Sequence, residues 1–306
     1  MKNIIEFYYN ISLTTLEEHN SAYYFNITSG NYCFKKFTQN PNIINSIYNL
    51  NTYLNNLIPI NKIILNKDNN PLTKINDTIY ILLLINTSNQ INLPTISNLS
   101  NINIPQIKEL ERNNWEILWG NMIDYYETQI GQNEKKYPLI RESFDYFVGL
   151  TENAISYLVN TKKETKPNEL DKKVISHNSL NSSLYDPTNI IIDHKSRDLS
   201  EYIKLSFFKN NQNIFKELDE YFYYNNYSLY GIRVLFARII YPSFYFKLYD
   251  SILNTKIEEK ALNNIITKLP EYETYLNNIY LYLRKYYNIP EIEWLKKRDI
   301  NSRLQL

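Results

Sequence analysis

The stretch Tyr185-Asp186-Pro187-Thr188-Asn189-Ile190-Ile191-Ile192-Asp193-His194-Lys195-Ser196-Arg197-Asp198-Leu199 decides how this chain is read. Three isoleucines end abruptly in an aspartate and a histidine, and an Arg-Asp pair then opens a helical pattern. An acid at the end of a buried strand is a common place to build a metal–phosphate site. Nowhere else in the chain do residues able to do chemistry gather so closely.

The surrounding composition narrows the role. At 306 residues the chain is long enough for one large domain or two lobes. A formal net charge of +1, without a basic stripe, predicts neither nucleic acid nor an acidic membrane as partner. Cys33 is the sole cysteine, which excludes an internal disulfide and a cysteine-based metal site. The longest apolar run, Ile79 to Ile85, is far short of the roughly 20 residues of a membrane helix. With no signal peptide legible after Lys2, the expectation is a cytoplasmic protein.

The pattern before residue 88 is that of a small α+β lobe. Ile4 to Leu13, Ala22 to Thr28 and Asn31 to Phe37 read as strands, the last two joined by a hairpin at Gly30. Pro41 opens a helix with Ile43, Ile44, Ile47, Leu50, Leu54 and Leu57 on one face, and Pro59 closes it. Lys62 to Leu65 and Ile79 to Ile85 read as two further strands around a polar loop, Asn66 to Asp77. Thr87 to Pro105 reads as a polar connector. From Gln106 the pattern is helical, with Trp115, Trp119, Met122 and Tyr126 on one face and Phe144, Phe147, Val148, Ile155 and Leu158 on the next. These aromatic stripes read as core rather than as base-stacking platforms, since no basic track accompanies them. Thr161 to Lys173 reads as a charged loop. Further helices are predicted over Leu199–Phe208, Ile214–Tyr224, Leu229–Leu253, Ile257–Thr267 and Tyr272–Tyr286. The domain expectation is therefore 1–88 for the small lobe, 89–105 for a linker and 106–306 for a helical lobe.

Several familiar chemistries are absent from the sequence. There is no HExxH, no G-x-S-x-G, no G-x-G-x-x-G and no G-x-x-x-x-G-K-[ST]. What remains is the layout of protein-kinase-like phosphotransferases: a five-stranded antiparallel lobe with one helix, then a helical lobe carrying a strand-end Asp. Such a site uses a strand lysine for phosphates, a helix glutamate to hold it, a catalytic-loop Asp and Asn, and a second Asp for Mg²⁺.

Only part of that set is legible here. Lys35, with Lys36 beside it, is the candidate cofactor-binding lysine, but the helix from Pro41 to Leu57 contains no acid to pair with it. The turn after the first strand, Thr14 to Asn20, has no glycine and carries Glu17 and Glu18. The catalytic loop starts at His177, but Ser179 stands at the Asp position and Leu184 five residues on, where Asn is usual. Loss of a general base typically costs about 10²–10⁴ in rate. Asp186 and Asn189 are the candidate substitutes, though close to each other and to Asp193. Asp193 is the candidate Mg²⁺ ligand. Asp198 and Glu201 fit a capping box, which leaves Arg197 to pair with Asp193 or another buried acid.

The chain resembles the YutH-type spore-coat proteins of endospore-forming Firmicutes, relatives of CotS-type coat proteins in the aminoglycoside-phosphotransferase and choline-kinase-like superfamily. The resemblance rests on Glu142 to Ile155, which includes Glu152-Asn153-Ala154-Ile155, on Asp193-His194-Lys195-Ser196-Arg197-Asp198-Leu199-Ser200-Glu201-Tyr202, and on Ile292-Glu293-Trp294-Leu295. It covers most of the chain. It implies a kinase-like fold with a degenerate site in which His177, Asp193 and His194 match family positions. It also implies a pseudokinase that acts by binding, with spore-coat proteins as partners and the coat as its place. The alternative is an active small-molecule phosphotransferase using ATP and Mg²⁺ through Lys35, Asp186 or Asn189, and Asp193. A third reading is a nucleotide switch without turnover.

Overall fold

The computed structural model describes residues 1–86, 91–133, 136–180, 183–254 and 257–295. It divides into two compact units: Met1–Asn92, Asn101–Glu111 and Val174–Asp193 form the first, and Leu93–Ser100, Arg112–Lys173 and His194–Leu306 the second. The first holds an antiparallel sheet, the second is mainly helical, and the α+β expectation stands.

In the first unit the chain runs through α1 (Lys2–Tyr9), β1 (Glu17–His19), β2 (Ala22–Ile27), β3 (Gly30–Lys36), α2 (Ile44–Asn55), β4 (Lys62–Ile64), β5 (Leu72–Ile75) and β6 (Thr78–Ile85). The sheet has six strands in the order β1-β2-β3-β6-β4, with β5 also on β6. That is one more than the five expected, and the identities differ. Ile4 to Leu13 is not a strand. Its N-terminal part is α1, which buries Ile5 completely, leaves Phe7 largely in water and stops at Asn10 in the left-handed region. β-Branched and aromatic residues favour strands only weakly, and packing of one helical face against the sheet outweighs that preference. The segment Thr14 to Asn20, read as a loop, contains β1, which turns into β2 through Asn20 and Ser21, both at positive φ. The polar stretch Asn66 to Asp77 contains β5. There the Asn66 side-chain oxygen accepts the amides of Asp68 and Asn70, closing a turn before the strand.

Gly30 closes the β2–β3 hairpin at φ +138°, and a Cβ there would meet Leu84 Cδ1 at 2.8 Å, so glycine is required. Along β3 side chains alternate between faces. Tyr32 and Phe34 join the cluster of Ile5, Leu13, Phe25, Tyr80 and Leu82, with Phe34 stacked on Tyr80 at 4.8 Å. Cys33 and Lys35 therefore belong to the opposite face. Asn51 of α2 is buried; its side chain donates to the Asn61 carbonyl (2.7 Å) and accepts the Ile63 amide (2.9 Å), tying the helix to β4.

β7 (Lys173–His177) and β8 (Ile190–His194) form a separate two-stranded sheet. β8 is the isoleucine run of the opening stretch; β7 was not expected.

The second unit contains α3 (Leu93–Ser100), α4 (Trp115–Asn133), α5 (Pro138–Glu164), α6 (Ser196–Phe208), α7 (Ile214–Tyr224), α8 (Leu229–Ile240), α9 (Ser243–Leu253), α10 (Asn263–Ile266) and α11 (Leu269–Arg284). The connector Thr87 to Pro105 thus carries a helix, α3, whose Leu93, Ile96 and Leu99 are buried; residues 87–90 lie outside the described set. The loop expected from Thr161 begins only after Glu164. One long helix over Leu229–Leu253 is instead two, because Pro242 lacks the amide that would continue the ladder. The aromatic stripes pack inside: Trp119 stacks on Tyr241 at 4.6 Å and Tyr126 on Phe246 at 5.0 Å.

Candidate functional site

Lys35 lies near the end of β3, and its ammonium donates to Asp186 and, at 2.9 Å, to Thr188 Oγ1. The Thr188 hydroxyl donates in turn to the second Asp186 oxygen at 2.8 Å, and the Thr188 amide donates to that same oxygen at 3.0 Å. The result is a closed ring of three side chains. It is built on a 3₁₀ turn, Pro187–Asn189, with Asp186 as N-cap and Pro187 at the first position. Gln39 fastens the same turn by donating to the Thr188 carbonyl. Lys36 is exposed and takes no part.

The acid that α2 lacks is thus supplied by Asp186, 151 residues away. In kinase-like sites a carboxylate holds the phosphate lysine in the same way, so the pairing of Lys35 with Asp186 and Thr188 fixes the position of its ammonium. On the same face, burial pushes the Cys33 thiol up, with Lys35 pulling it the other way, and burial raises the neighbouring Tyr24 phenol to about 12.

The loop between β7 and β8 is held by hydrogen bonds of its own residues. His177, at the end of β7, is buried, and its Nε2 donates to the Leu184 carbonyl at 2.9 Å. Leu184 is fully buried and serves as packing. It is Asn189, ten residues past Ser179, whose side chain brackets Ser179. It accepts the Ser179 amide at 3.1 Å and donates to the Ser179 carbonyl at 2.8 Å. Its own carbonyl accepts the Asn178 amide. Counting five residues from Ser179 finds Leu184, whereas the side chain bonded to the Ser179 backbone is that of Asn189. Asn181 and Ser182 of the loop lie outside the described residues.

Asp193 is completely buried near the end of β8. Among the described residues there is no group of three or more His, Cys, Asp or Glu side chains that could hold a metal ion.

His194, the next residue, belongs to the second unit and does local structural work there. Its Nδ1 accepts the Ser196 amide at 3.1 Å and stands 2.7 Å from the Ser196 hydroxyl. Its Nε2 faces Asp171 Oδ1 at 3.3 Å, and the Ser228 hydroxyl lies 2.7 Å from both Asp171 oxygens. Burial works against charge on Asp171, but hydrogen bonds from His194, the Asn168 amide and Ser228 hold its carboxyl below the usual range. Ser, His and Asp in a row suggest a nucleophile. Ser196 is wholly buried, however, and the histidine ring caps the first turn of α6. The helix therefore starts two residues before the Asp198–Glu201 capping box expected from sequence. Asp198 sits inside the first turn, where an acid meets the helix dipole, and Glu201 bonds Lys204 and Lys247.

Sequence reasoning missed the partnership of Lys35 with Asp186 and Thr188, and the clamp of Asn189 on Ser179. One local signal for the first was present: Asp-Pro-Thr-Asn carries the residues of an N-capped turn, which pins the Asp side chain to one geometry.

Comparison with known proteins places the fold and the family. The chain resembles the crystal structure of a spectinomycin phosphotransferase in complex with ADP and spectinomycin, at a TM-score of 0.57 and 16% identity, covering 90% of this chain and 92% of that one. An aminoglycoside phosphotransferase from Alicyclobacillus acidocaldarius gives a TM-score of 0.58 at 9% identity, over 90% and 94% of the two chains. At such identities the likeness is one of fold. In sequence, the endospore coat-associated protein YutH of Bacillus subtilis (strain 168) is 32% identical over 209 residues, which is 60% of this chain and 61% of that protein's length. The family profile described as "Spore coat putative kinase YutH" matches residues 2–279. With nearly the whole chain inside that match, the protein belongs to the YutH spore-coat family, on the fold of the aminoglycoside phosphotransferases.

Proposed function

We propose that this protein is a catalytically degenerate kinase-like protein that acts by binding, as a component of spore-coat assembly. The observation that carries the reading is that Asp186, the candidate substitute for a missing catalytic-loop acid, is tied up with Lys35 and Thr188. Ser179, where a general base is expected, has no carboxylate, and Asp186 is already engaged by three donors from Lys35 and Thr188. An active phosphotransferase built on Asp186 needs that carboxylate to leave Lys35 for an incoming hydroxyl, at the cost of an unpaired, half-buried ammonium. The coat role is supported by the family and by the relative described as coat-associated.

The test has two parts. Purified protein is assayed for phosphoryl transfer from ATP with Mg²⁺ to aminoglycoside and choline acceptors, and for a rise in melting temperature with the same nucleotide. The expected result is no turnover; a rate in the usual kinase range of about 1–100 s⁻¹ overturns the reading. A native-only ligand must raise the melting temperature, so a rise without turnover, lost in Asp193→Ala, points to a nucleotide-sensing scaffold. Coat localisation is tested by fractionating spores that express the tagged chain. Recovery in the core fraction alone, with none in the coat extract, removes the coat role.

A further inference from the structure

In the first unit the Lys35 ammonium has three donors and uses two of them, one on Asp186 and one on Thr188 Oγ1. It makes no other hydrogen bond among the described residues, and its side chain keeps 23% of its surface in water. One charged donor therefore stays open to a ligand. Asp186 is the opposite case. Its Oδ2 accepts from Lys35, and its Oδ1 accepts from the Thr188 amide at 3.0 Å and the Thr188 hydroxyl at 2.8 Å. Both oxygens are committed, and the turn that carries them is capped by Asp186 itself and fastened by Gln39.

The rest of this sheet face leaves the lysine alone. Side chains opposite each other across an antiparallel pair share a face. Register puts Tyr24 opposite Cys33 and Ala22 opposite Lys35. The Tyr24 hydroxyl and the Cys33 thiol hydrogen-bond each other, and Ala22 has no polar group. Glu17, opposite Tyr24, is the acid of β1 on this face. It is exposed and stands two strand spacings from β3, about 10 Å, where salt screens its repulsion of an anion.

A lysine fixed by an acid, with a donor left over, is how a kinase-like site holds the phosphates of a nucleotide. At this point the residues present fit that group, although the acid comes from a different place. In such sites the holding acid is on the helix, and a separate acid accepts the hydroxyl proton. Here α2 has neither Asp nor Glu, Ser179 has no carboxylate, and the single acid of the ring, Asp186, belongs to the loop. One carboxylate cannot hold an ammonium and take a proton from a hydroxyl at once. We infer that Asp186 is the positioning residue of a retained phosphate-binding lysine: it replaces the missing helix acid, so that Lys35 holds the phosphates of a nucleoside triphosphate while the carboxylate is not free to serve as base. This rests on the reading of a protein that acts by binding, and names the ligand of that site.

Isothermal titration of the full chain with ATP and Mg²⁺ tests this. The unaltered chain is expected to bind. Lys35→Met should weaken binding about ten-fold, the size of one charge-assisted hydrogen bond, while Lys36→Met, which removes the same charge from the neighbouring residue, should leave it unchanged. Asp186→Asn should weaken binding about three- to ten-fold. Because Asp186 acts through Lys35, Asp186→Asn should add nothing in the Lys35→Met background, where a merely structural loss would persist. Absence of ATP binding by the unaltered chain overturns the inference. So does equal weakening in Lys36→Met, unchanged or tighter binding in Asp186→Asn, or a further fall in the double variant. None of these results involves turnover, so each leaves the non-catalytic reading in place; that reading falls to phosphoryl transfer instead.

Discussion

Two lysine–carboxylate networks, one in each unit, show how differently the same chemistry is used. In the helical unit Lys204 is 3% exposed and bonds Glu201 (2.7 Å), the Arg238 and Tyr241 carbonyls (3.0 Å each) and the Ser243 hydroxyl (2.8 Å). Glu201 takes a second lysine, Lys247, at 2.8 Å. The ammonium thus satisfies carbonyls at the C-terminal end of α8, which would otherwise be orphaned. In the sheet unit Lys35 and Asp186 keep 23% and 14% of their side-chain surface in water, and only a threonine completes the ring. The first network is closed on every side and holds three helices in place. The second is shallow, and its partners are a strand and a single turn. Depth and the number of committed partners, more than the charges, separate a fixture of the fold from a contact that a ligand or a proton could contest.

The difference should appear first in stability. Lys204→Met leaves Glu201 buried with one lysine fewer and uncaps α8. A loss of about 3–5 kcal/mol in chemical unfolding is expected, and a loss below about 1 kcal/mol would erase the contrast. Second comes acid sensitivity. Burial opposes charge on Glu201, yet Lys204 and Lys247 beside it hold its carboxyl well below the usual range. A carboxyl depressed in the folded state contributes stability that is complete above the unfolded value, about 4.3, and is lost as pH falls through the folded value. Unfolding followed from pH 7 downward should therefore show an acid limb that Glu201→Gln flattens; an unaltered limb assigns it to other carboxylates. Third, Asp186→Asn should cost about 1–2 kcal/mol, between the values for exposed and buried pairs, and the cost should shrink in 1 M salt. An equal cost at both ionic strengths means that the ring is as closed as the one around Lys204. The smallest effect, about 0.5–1 kcal/mol, is expected for Thr188→Val, which removes one hydrogen bond from each partner. A larger loss there makes the threonine, rather than the ion pair, the centre of the ring.

Much of the fold could be read from local pattern. The bounds of α7, Ile214–Tyr224, follow from periodicity alone, and Gly30 marks its hairpin because the backbone there needs a positive φ. The errors fall where local preference and burial disagree. Ile4, Ile5, Phe7 and Tyr8 favour extended chain, but the sheet offers a face that only one side of a helix can cover. Leu72–Ile75 looks like loop because polar residues surround it, and it becomes a strand by pairing with β6. At the candidate site, spacing along the chain does not say which side chains bond to one another. Position along the chain put Leu184 at the asparagine's place, whereas the loop's own hydrogen bonds return Asn189 to Ser179.

Residue identity by itself determined what is missing: no acid on α2, no carboxylate at Ser179, no glycine-rich phosphate loop. These facts hold in any fold the chain could adopt, because a side chain that is not encoded cannot be supplied by geometry. Tertiary structure alone decided what fills the gap. Asp186 meets Lys35 across 151 residues of sequence only because β3 and the turn before β8 belong to one packed unit. No local propensity specifies such a meeting, since hydrophobic burial of the strands brings those two charges together and the charges merely complete it.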